Sequence, residues 1–144
     1  LVLVGKPPKN IEELKEIVKD NNLEDRVVFT GFVSDEQMAT IIQKTRIYIN
    51  ASYFEGFGMT SIEMMGSGIP TIVANNTAQK EVTMGLCRYY EPTNDKFKLA
   101  EQILEEIKKP KSETELIEIA ETIKQRYSYE IIANKYWKFI EKCI

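Results

Sequence analysis

The sequence predicts an α/β fold, a three-layer doubly wound parallel sheet with helices on both faces, followed by a group of C-terminal helices. Two observations support this prediction. Over residues 1–90, short β-branched runs alternate with amphipathic stretches, as in the strand–helix units of a parallel sheet. After Pro92 the strand pattern stops, and only helical periodicity continues.

Apolar runs bounded by turn residues predict five strands, at residues 1–5, 27–30, 47–49, 70–74 and 87–90. Amphipathic stretches between them predict the connecting helices. Ser34 and Gln37 fit a capping box at the start of one such helix. Another helix is predicted from Met59 to about Ser67, and Gly68 is placed to end it.

Three apolar stripes at helical spacing predict the C-terminal helices. The stripes are Phe97, Ala100, Ile103, Leu104 and Ile107, then Leu116, Ile117, Ala120 and Ile123, and then Ile131, Ile132, Tyr136, Trp137 and Ile140. Ser112, with Glu115 three residues later, predicts a capping box for the second of them. The aromatics near Trp137 could form a sugar platform, but we expect them to pack against the core.

The composition argues against several classes of protein. The net charge is −3, and acidic and basic residues are interspersed, so the chain lacks the positively charged surface that is typical of a nucleic-acid-binding protein. No apolar run approaches the roughly 20 residues of a transmembrane segment. The sequence has no histidine, which excludes His-based acid–base chemistry and Ser-His-Asp triads. Catalysis must therefore rest on carboxylates, backbone dipoles, Lys or Arg, or the substrate.

The stretch after the third predicted strand contains the strongest candidate site. Gly56 and Gly58 lie between this strand and a predicted helix start, where backbone N–H groups and the positive end of the helix dipole can hold a phosphate. Glu55 precedes the glycines, and Glu63 lies on the helix, where a carboxylate can accept hydrogen bonds from a ribose diol. Each of these residues also has a purely structural explanation. The glycines could form a tight turn into a helix, Glu55 could be an exposed loop charge, and Glu63 could be an acidic residue that interacts favourably with the helix dipole.

Residues 55–59 and 63–71 resemble the signature of glycosyltransferase family 4, enzymes of the GT-B type. That signature is a pair of glutamates separated by seven residues in a Glu-Gly-Phe-Gly context, followed by a segment like Gly66-Ser67-Gly68-Ile69-Pro70. Residues 29–35, 76–82, 89–95 and 127–130 also resemble segments of the family. The chain departs from the family where Asn75, Asn76 and Thr77 replace a glycine pair and Lys80 replaces a proline.

The resemblance implies a role for each matching residue. Glu55 would be the catalytic carboxylate beside the donor sugar, and Glu63 would bind the ribose hydroxyls. The remaining donor-binding residues would be the loop and helix start, Gly56, Phe57, Gly58, Met59 and Thr60, and two residues packed on the base, Phe32 and Val33. Because this loop is expected at the rim of the sheet, Gly58→Val is predicted to abolish donor binding without unfolding the domain.

The resemblance also implies the reaction and its setting. Such enzymes transfer a hexose from a nucleotide-diphosphate sugar with retention at the anomeric carbon, and we expect no metal ion and no other cofactor. The chain opens within a predicted strand, so residues 1–144 are interpreted as a donor-binding domain, the Rossmann-like half of a GT-B enzyme, truncated at its N-terminal end. A sugar, glycan or lipid acceptor would bind the missing N-terminal domain, in an enzyme that is cytoplasmic or peripheral to the membrane.

Two other functions remain open on the sequence alone. A GT-B sugar-nucleotide epimerase would require additional catalytic His or Asp positions, and the lack of histidine argues against it. A non-catalytic nucleotide-binding or regulatory α/β module, such as a receiver-like domain, would require acidic clusters at strand ends, which residues 1–5 and 27–31 lack. Thermal stabilisation by UDP, GDP or ADP would test for the nucleotide site.

Overall fold

The computed structural model describes residues 1–143, which form two compact units, Leu1–Lys44 and a second unit that begins at Thr45. Every strand pair in the described residues is parallel, and a helix lies between consecutive strands. The predicted α/β class with parallel strands is therefore confirmed. The strands form two sheets, one in each unit.

The first unit is a single strand–helix–strand motif with one further helix. Its elements are β1 (Val2–Val4), α1 (Ile11–Asp20), β2 (Val28–Gly31) and α2 (Asp35–Lys44). The backbone N–H of Gly5 extends the pairing of β1 with β2 by donating to the Gly31 carbonyl at 3.0 Å. The predicted capping box of α2 is confirmed, because Ser34 N–H donates to Gln37 Oε1 at 2.8 Å and Gln37 N–H donates to Ser34 Oγ at 3.3 Å.

The second unit is built on a three-stranded sheet in the order β3-β4-β5. Its elements are β3 (Tyr48–Asn50), α3 (Met59–Gly66), β4 (Thr71–Ala74), α4 (Gln79–Val82), β5 (Arg88–Tyr90), α5 (Lys96–Lys108), α6 (Glu113–Tyr127) and α7 (Tyr129–Glu141). All four residues of β4 are buried, because neighbours flank both its edges and helices cover the sheet. The α3 helix ends as predicted, with Gly68 at φ +74° and Ile69 N–H donating to the Met64 carbonyl.

Two apolar clusters hold these helices against the sheet. The first joins α3, α4 and α6 through Ile62, Met65, Val82 and Ile123. The second joins the sheet to α5 through Ile72, Ala74, Tyr90, Leu99 and Ile103. Burying one such side chain stabilises the fold by about 1.5–3 kcal/mol. The packing of α3 on both β3 and β4 fixes its N-terminus beside the carboxyl ends of these strands.

Of the predicted apolar stripe of α5, Ile103 packs against the core as expected, but the rest of the stripe is rotated away from it about the helix axis. Phe97 is 75% exposed, and Leu104 and Ile107 are also exposed. The buried position in the second half of the helix is Glu106, which is only 2% exposed. Its carboxylate accepts hydrogen bonds from Arg88 Nε and, at 3.2 Å, from Lys111 N–H, while Lys111 Nζ lies 3.6 Å away. A charge with partners therefore takes the place of an apolar side chain.

The expected packing of the α7 aromatics is also wrong for the described residues. Trp137 is 62% exposed, and its indole Nε1 donates to Glu141 one turn later at 2.7 Å. Tyr136 and Phe139 are exposed as well. In contrast, the predicted capping box of α6 is confirmed, because Ser112 Oγ accepts from Glu115 N–H and the Glu115 carboxylate accepts from Ser112 N–H.

Candidate functional site

The loop between β3 and α3, residues 51–58, is called the glycine loop here. The strands β3 and β4 run parallel to each other, so their carboxyl ends lie at the same edge of the sheet. The glycine loop and the turn after β4 therefore both begin at that edge. Asn76 Nδ2 donates to the Ser52 carbonyl, and Thr77 Oγ1 donates to the Glu55 carbonyl at 2.7 Å. Glu55 N–H in turn donates to Thr77 Oγ1 at 3.2 Å. The β4–α4 turn therefore holds the glycine loop in place.

Gly58 is the N-cap residue of α3 and has a left-handed backbone, with φ 86° and ψ 45°. Its carbonyl accepts from Ser61 N–H at 3.0 Å and from Ile62 N–H at 3.3 Å, which closes the first turn. Within residues 1–143, no hydrogen bond uses the N–H groups of Met59 and Thr60. These two donors lie at the positive end of the α3 dipole, which is a suitable seat for an anion.

The two predicted carboxylates lie before and after this first turn. The Glu55 side chain is half-buried and the Glu63 side chain is exposed, and neither carboxylate has a hydrogen-bond or ion-pair partner among residues 1–143. Both act on the same phenol, that of Tyr48, which donates to Thr60 Oγ1 at 2.8 Å. Burial raises the pKa of Tyr48, and the negative charges of Glu55 and Glu63 raise it further. The structure therefore brings Glu55, Glu63 and Thr60 into one neighbourhood.

The two glycines of the loop differ in their surroundings. A Cβ added to Gly56 would meet open space, and Gly56 does not have a positive φ. A Cβ added to Gly58 would lie 2.9 Å from Gln79 Nε2 and 3.0 Å from Gln79 Oε1. Gly58 is buried, so the expectation that it lies at an open rim of the sheet is wrong, and the folding of Gly58→Val remains a prediction.

Phe57 contributes packing through its side chain. Its ring meets Tyr127 edge to face, with centroids 5.7 Å apart, and Tyr127 Oη donates to the Val82 carbonyl at 2.8 Å. The predicted base-contacting residues, Phe32 and Val33, follow β2 in the first unit, where Phe32 is 81% exposed. Their contact with a base remains a prediction.

Gln79, the first residue of α4, lies in the segment 76–82 that resembles the family's donor-side turn, but the sequence analysis gave it no role of its own. Its side chain is 1% exposed, and within residues 1–143 neither Nε2 nor Oε1 has a hydrogen-bond partner. A glutamine among polar neighbours gives no periodic signal, and a four-residue helix is too short to show one. Its contact with Gly58 depends on two segments 21 residues apart in the sequence, which pattern analysis cannot connect.

The described residues contain no group of three His, Cys, Asp or Glu side chains that could hold a metal ion. The expectation of metal-free chemistry remains a prediction. No helix among residues 1–143 is both long enough and apolar enough to cross a bilayer.

Residues 1–123 match the family model described as glycosyl transferases group 1. The chain belongs to this glycosyltransferase family. The chain is 46% identical over 63 residues to mannosylfructose-phosphate synthase of Agrobacterium fabrum, a segment covering 44% of this chain and 14% of that protein. It is 24% identical over its full length to a Dictyostelium discoideum enzyme named GDP-Man:Man(3)GlcNAc(2)-PP-Dol alpha-1,2-mannosyltransferase, covering 30% of it.

Solved structures of GT-B glycosyltransferases share this fold. Sucrose-phosphate synthase of Thermosynechococcus elongatus superposes with a TM-score of 0.83 at 25% identity, covering 99% of this chain and 38% of that one. Anabaena HepE in complex with UDP gives a TM-score of 0.83 at 22% identity, covering 98% of this chain and 40% of that one. The chain therefore spans about two fifths of these related chains and has the Rossmann-like fold of one half of a GT-B enzyme.

Proposed function

We propose that this chain is the donor-binding domain of a retaining hexosyltransferase of glycosyltransferase family 4. The observation that carries the proposal is a pair of carboxylates without partners, Glu55 and Glu63, beside the open N-terminus of α3. A nucleotide-diphosphate sugar offers the matching groups, a diphosphate for helix N–H donors and hydroxyls for carboxylates. The names of a relative that uses GDP-Man and a structure that holds UDP support this class of donor.

The proposed reaction breaks the bond between the anomeric carbon and the diphosphate oxygen and forms a bond from that carbon to a hydroxyl oxygen of the acceptor, whose proton passes to the leaving diphosphate. Negative charge then grows on the leaving diphosphate, and the N–H groups of Met59 and Thr60, already oriented, stabilise it. Positive charge grows on the sugar ring, where Glu55 orients the hydroxyls or stabilises the charge, in loose analogy to glycosidases. Because α3 supplies the positive potential, the proposal needs no metal ion or other cofactor. The acceptor would bind a separate domain.

Glu63 is proposed to bind the ribose diol, which is present in every nucleotide donor. Glu63→Ala should weaken binding of UDP or GDP about tenfold to a hundredfold, because hydrogen bonds to a charged acceptor are worth about 1.5–3 kcal/mol. Glu55→Ala should leave the bare nucleotides within about twofold and weaken UDP-glucose or GDP-mannose. Titration calorimetry on the full-length protein measures both.

Glu113→Ala is the matched control, because Glu113 is an acidic first-turn residue of α6. It should leave every affinity unchanged. Equal losses for Glu55→Ala and Glu63→Ala with bare nucleotide would contradict the assignment of roles. Failure of the unmodified protein to bind any nucleotide or nucleotide sugar would overturn the proposed function itself.

A further inference from the structure

The side-chain amide of Gln79, in the second unit, has two buried polar atoms without a hydrogen-bond partner. Gln79 is 1% exposed, and both Nε2 and Oε1 lack hydrogen bonds within residues 1–143. Buried polar groups are nearly always paired, since an unpaired one loses its bonds to water and gains nothing in return. An apolar side chain of the same size would stabilise this state of the protein better.

The backbone of Gln79 is firmly held, so the amide is not there through loose packing. Its N–H donates to the Asn76 carbonyl at 3.1 Å, and its carbonyl accepts from Thr83 N–H at 2.9 Å and from Thr83 Oγ1 at 2.6 Å. Asn76 and Thr77, just before it, hold the glycine loop. The residue is therefore fixed to the same turn that positions Glu55.

The amide lies directly against Gly58, the N-cap of α3. Its Nε2, Oε1 and Cδ atoms would be 2.9, 3.0 and 3.2 Å from a Cβ at that residue, so only a glycine leaves room for it. The next two residues, Met59 and Thr60, carry the free N–H groups of the helix. Because Gln79 is 1% exposed, its amide could contact a ligand seated on these groups only if the Gly56–Gly58 backbone moved.

The two unpaired atoms of the Gln79 amide indicate which chemical group of a ligand could bind there. Nε2 can only donate a hydrogen bond and Oε1 can only accept one. A phosphate oxygen accepts only, so it could satisfy Nε2 but not Oε1. A hydroxyl both donates and accepts, and two neighbouring sugar hydroxyls could satisfy both atoms at once.

We propose that Gln79 is a donor-sugar-binding residue, whose amide gains its partners when hydroxyls of the transferred sugar enter the site. This inference rests on the proposed function, because it requires a nucleotide sugar on the N-terminus of α3. It adds a residue that selects among sugars by hydroxyl position, from the turn after β4.

The test compares Gln79→Met with the unmodified full-length protein, using UDP against UDP-glucose and GDP against GDP-mannose in titration calorimetry. Methionine matches the length of glutamine and has no amide. We expect the affinity for the bare nucleotides to stay within about twofold and the affinity for the preferred nucleotide sugar to fall about tenfold or more. The melting temperature of the free protein should be equal or higher, because an unpaired buried group has been removed.

Gln79→Glu and Gln102→Met complete the experiment. The glutamate retains an acceptor and loses the Nε2 donor, so it should also separate sugar from bare nucleotide. Gln102 is a half-buried glutamine of α5, and its replacement should change neither affinity. Equal weakening of UDP and UDP-glucose by Gln79→Met, no weakening of either, or a lower melting temperature would each overturn the inference. If the unmodified protein bound neither ligand class, the proposed function would fail instead.

Discussion

The two glycines of the glycine loop allow a sharp test of how the N-terminus of α3 is built. Gly58→Ala places a Cβ on a left-handed residue with φ +86°, which costs about 1–2 kcal/mol for an L-residue. The same Cβ would lie 2.9–3.2 Å from three atoms of Gln79. Because that side chain is buried, moving it off its rotamer adds about 0.5–1.5 kcal/mol.

We therefore expect Gly58→Ala to lower the free energy of unfolding by about 1.5–3.5 kcal/mol. Gly56→Ala is the matched control, because its Cβ meets open space and its φ is not positive. It should be neutral, or stabilising by up to about 1 kcal/mol through the unfolded chain. Urea unfolding followed by circular dichroism gives both values, and an unchanged m-value shows that the comparison is sound.

A double-mutant cycle separates the backbone strain of an alanine at position 58 from the steric contact between its Cβ and the Gln79 side chain. Gly58→Ala combined with Gln79→Ala removes the contact but keeps the left-handed backbone. The coupling between the two changes should therefore be favourable and about 0.5–1.5 kcal/mol. If Gly58→Ala destabilised no more than Gly56→Ala, the positive φ and the Gln79 contact would not determine this loop.

Three further predictions concern contacts around the site and the core. Glu106→Gln should destabilise the protein by about 3 kcal/mol, because it leaves Arg88 without its charge partner. Burial opposes ionisation of Glu106, but the hydrogen bonds from Arg88 and Lys111 and their charges hold its pKa below the ordinary 4.5. Its stabilising contribution is therefore present at neutral pH and is lost as the pH falls through the lowered pKa, and urea unfolding from pH 7 to 3 should show a weaker acid dependence in Glu106→Gln. Tyr48→Phe should cost about 1 kcal/mol in the same assay through the lost bond to Thr60. Thr77→Val should weaken nucleotide-sugar binding in calorimetry while Thr77→Ser retains it, because only the hydroxyl holds Glu55.

The sequence predicted what depends on neighbours along the chain. Both capping boxes, at Ser34 and at Ser112, were recognisable because the two members lie three residues apart. Gly68 ends α3 for a similarly local reason. Five strands were found close to their observed bounds, although each is only three or four residues long in the structure.

The failures lie where distant residues decide burial. The stripe of α5 was assigned from the spacing of its apolar residues alone, whereas Glu106 is buried beside Arg88, 18 residues earlier. The sequence alone cannot reveal this pairing, so the apolar side chains were assigned to the wrong face. The burial of Gln79 was also missed, but for a different reason. Glu106 is buried with partners, whereas the Gln79 amide is buried without any partner among the described residues.

The candidate site likewise has features that are set by residues near each other in sequence and features that depend on distant ones. Glu55, Gly58 and Glu63 could be proposed from sequence because they match the family's motif and because a helix start with nearby carboxylates suits a phosphate and a diol. The surroundings of these groups came only from the structure, in the Thr77 hydroxyl that holds the Glu55 backbone and the unpaired Gln79 amide that lies against Gly58. Gly58 links the two levels, because its missing Cβ gives α3 its left-handed cap and also leaves space for the Gln79 amide. A side chain at this position would disturb both, so the fold and the proposed ligand site would each call for glycine there.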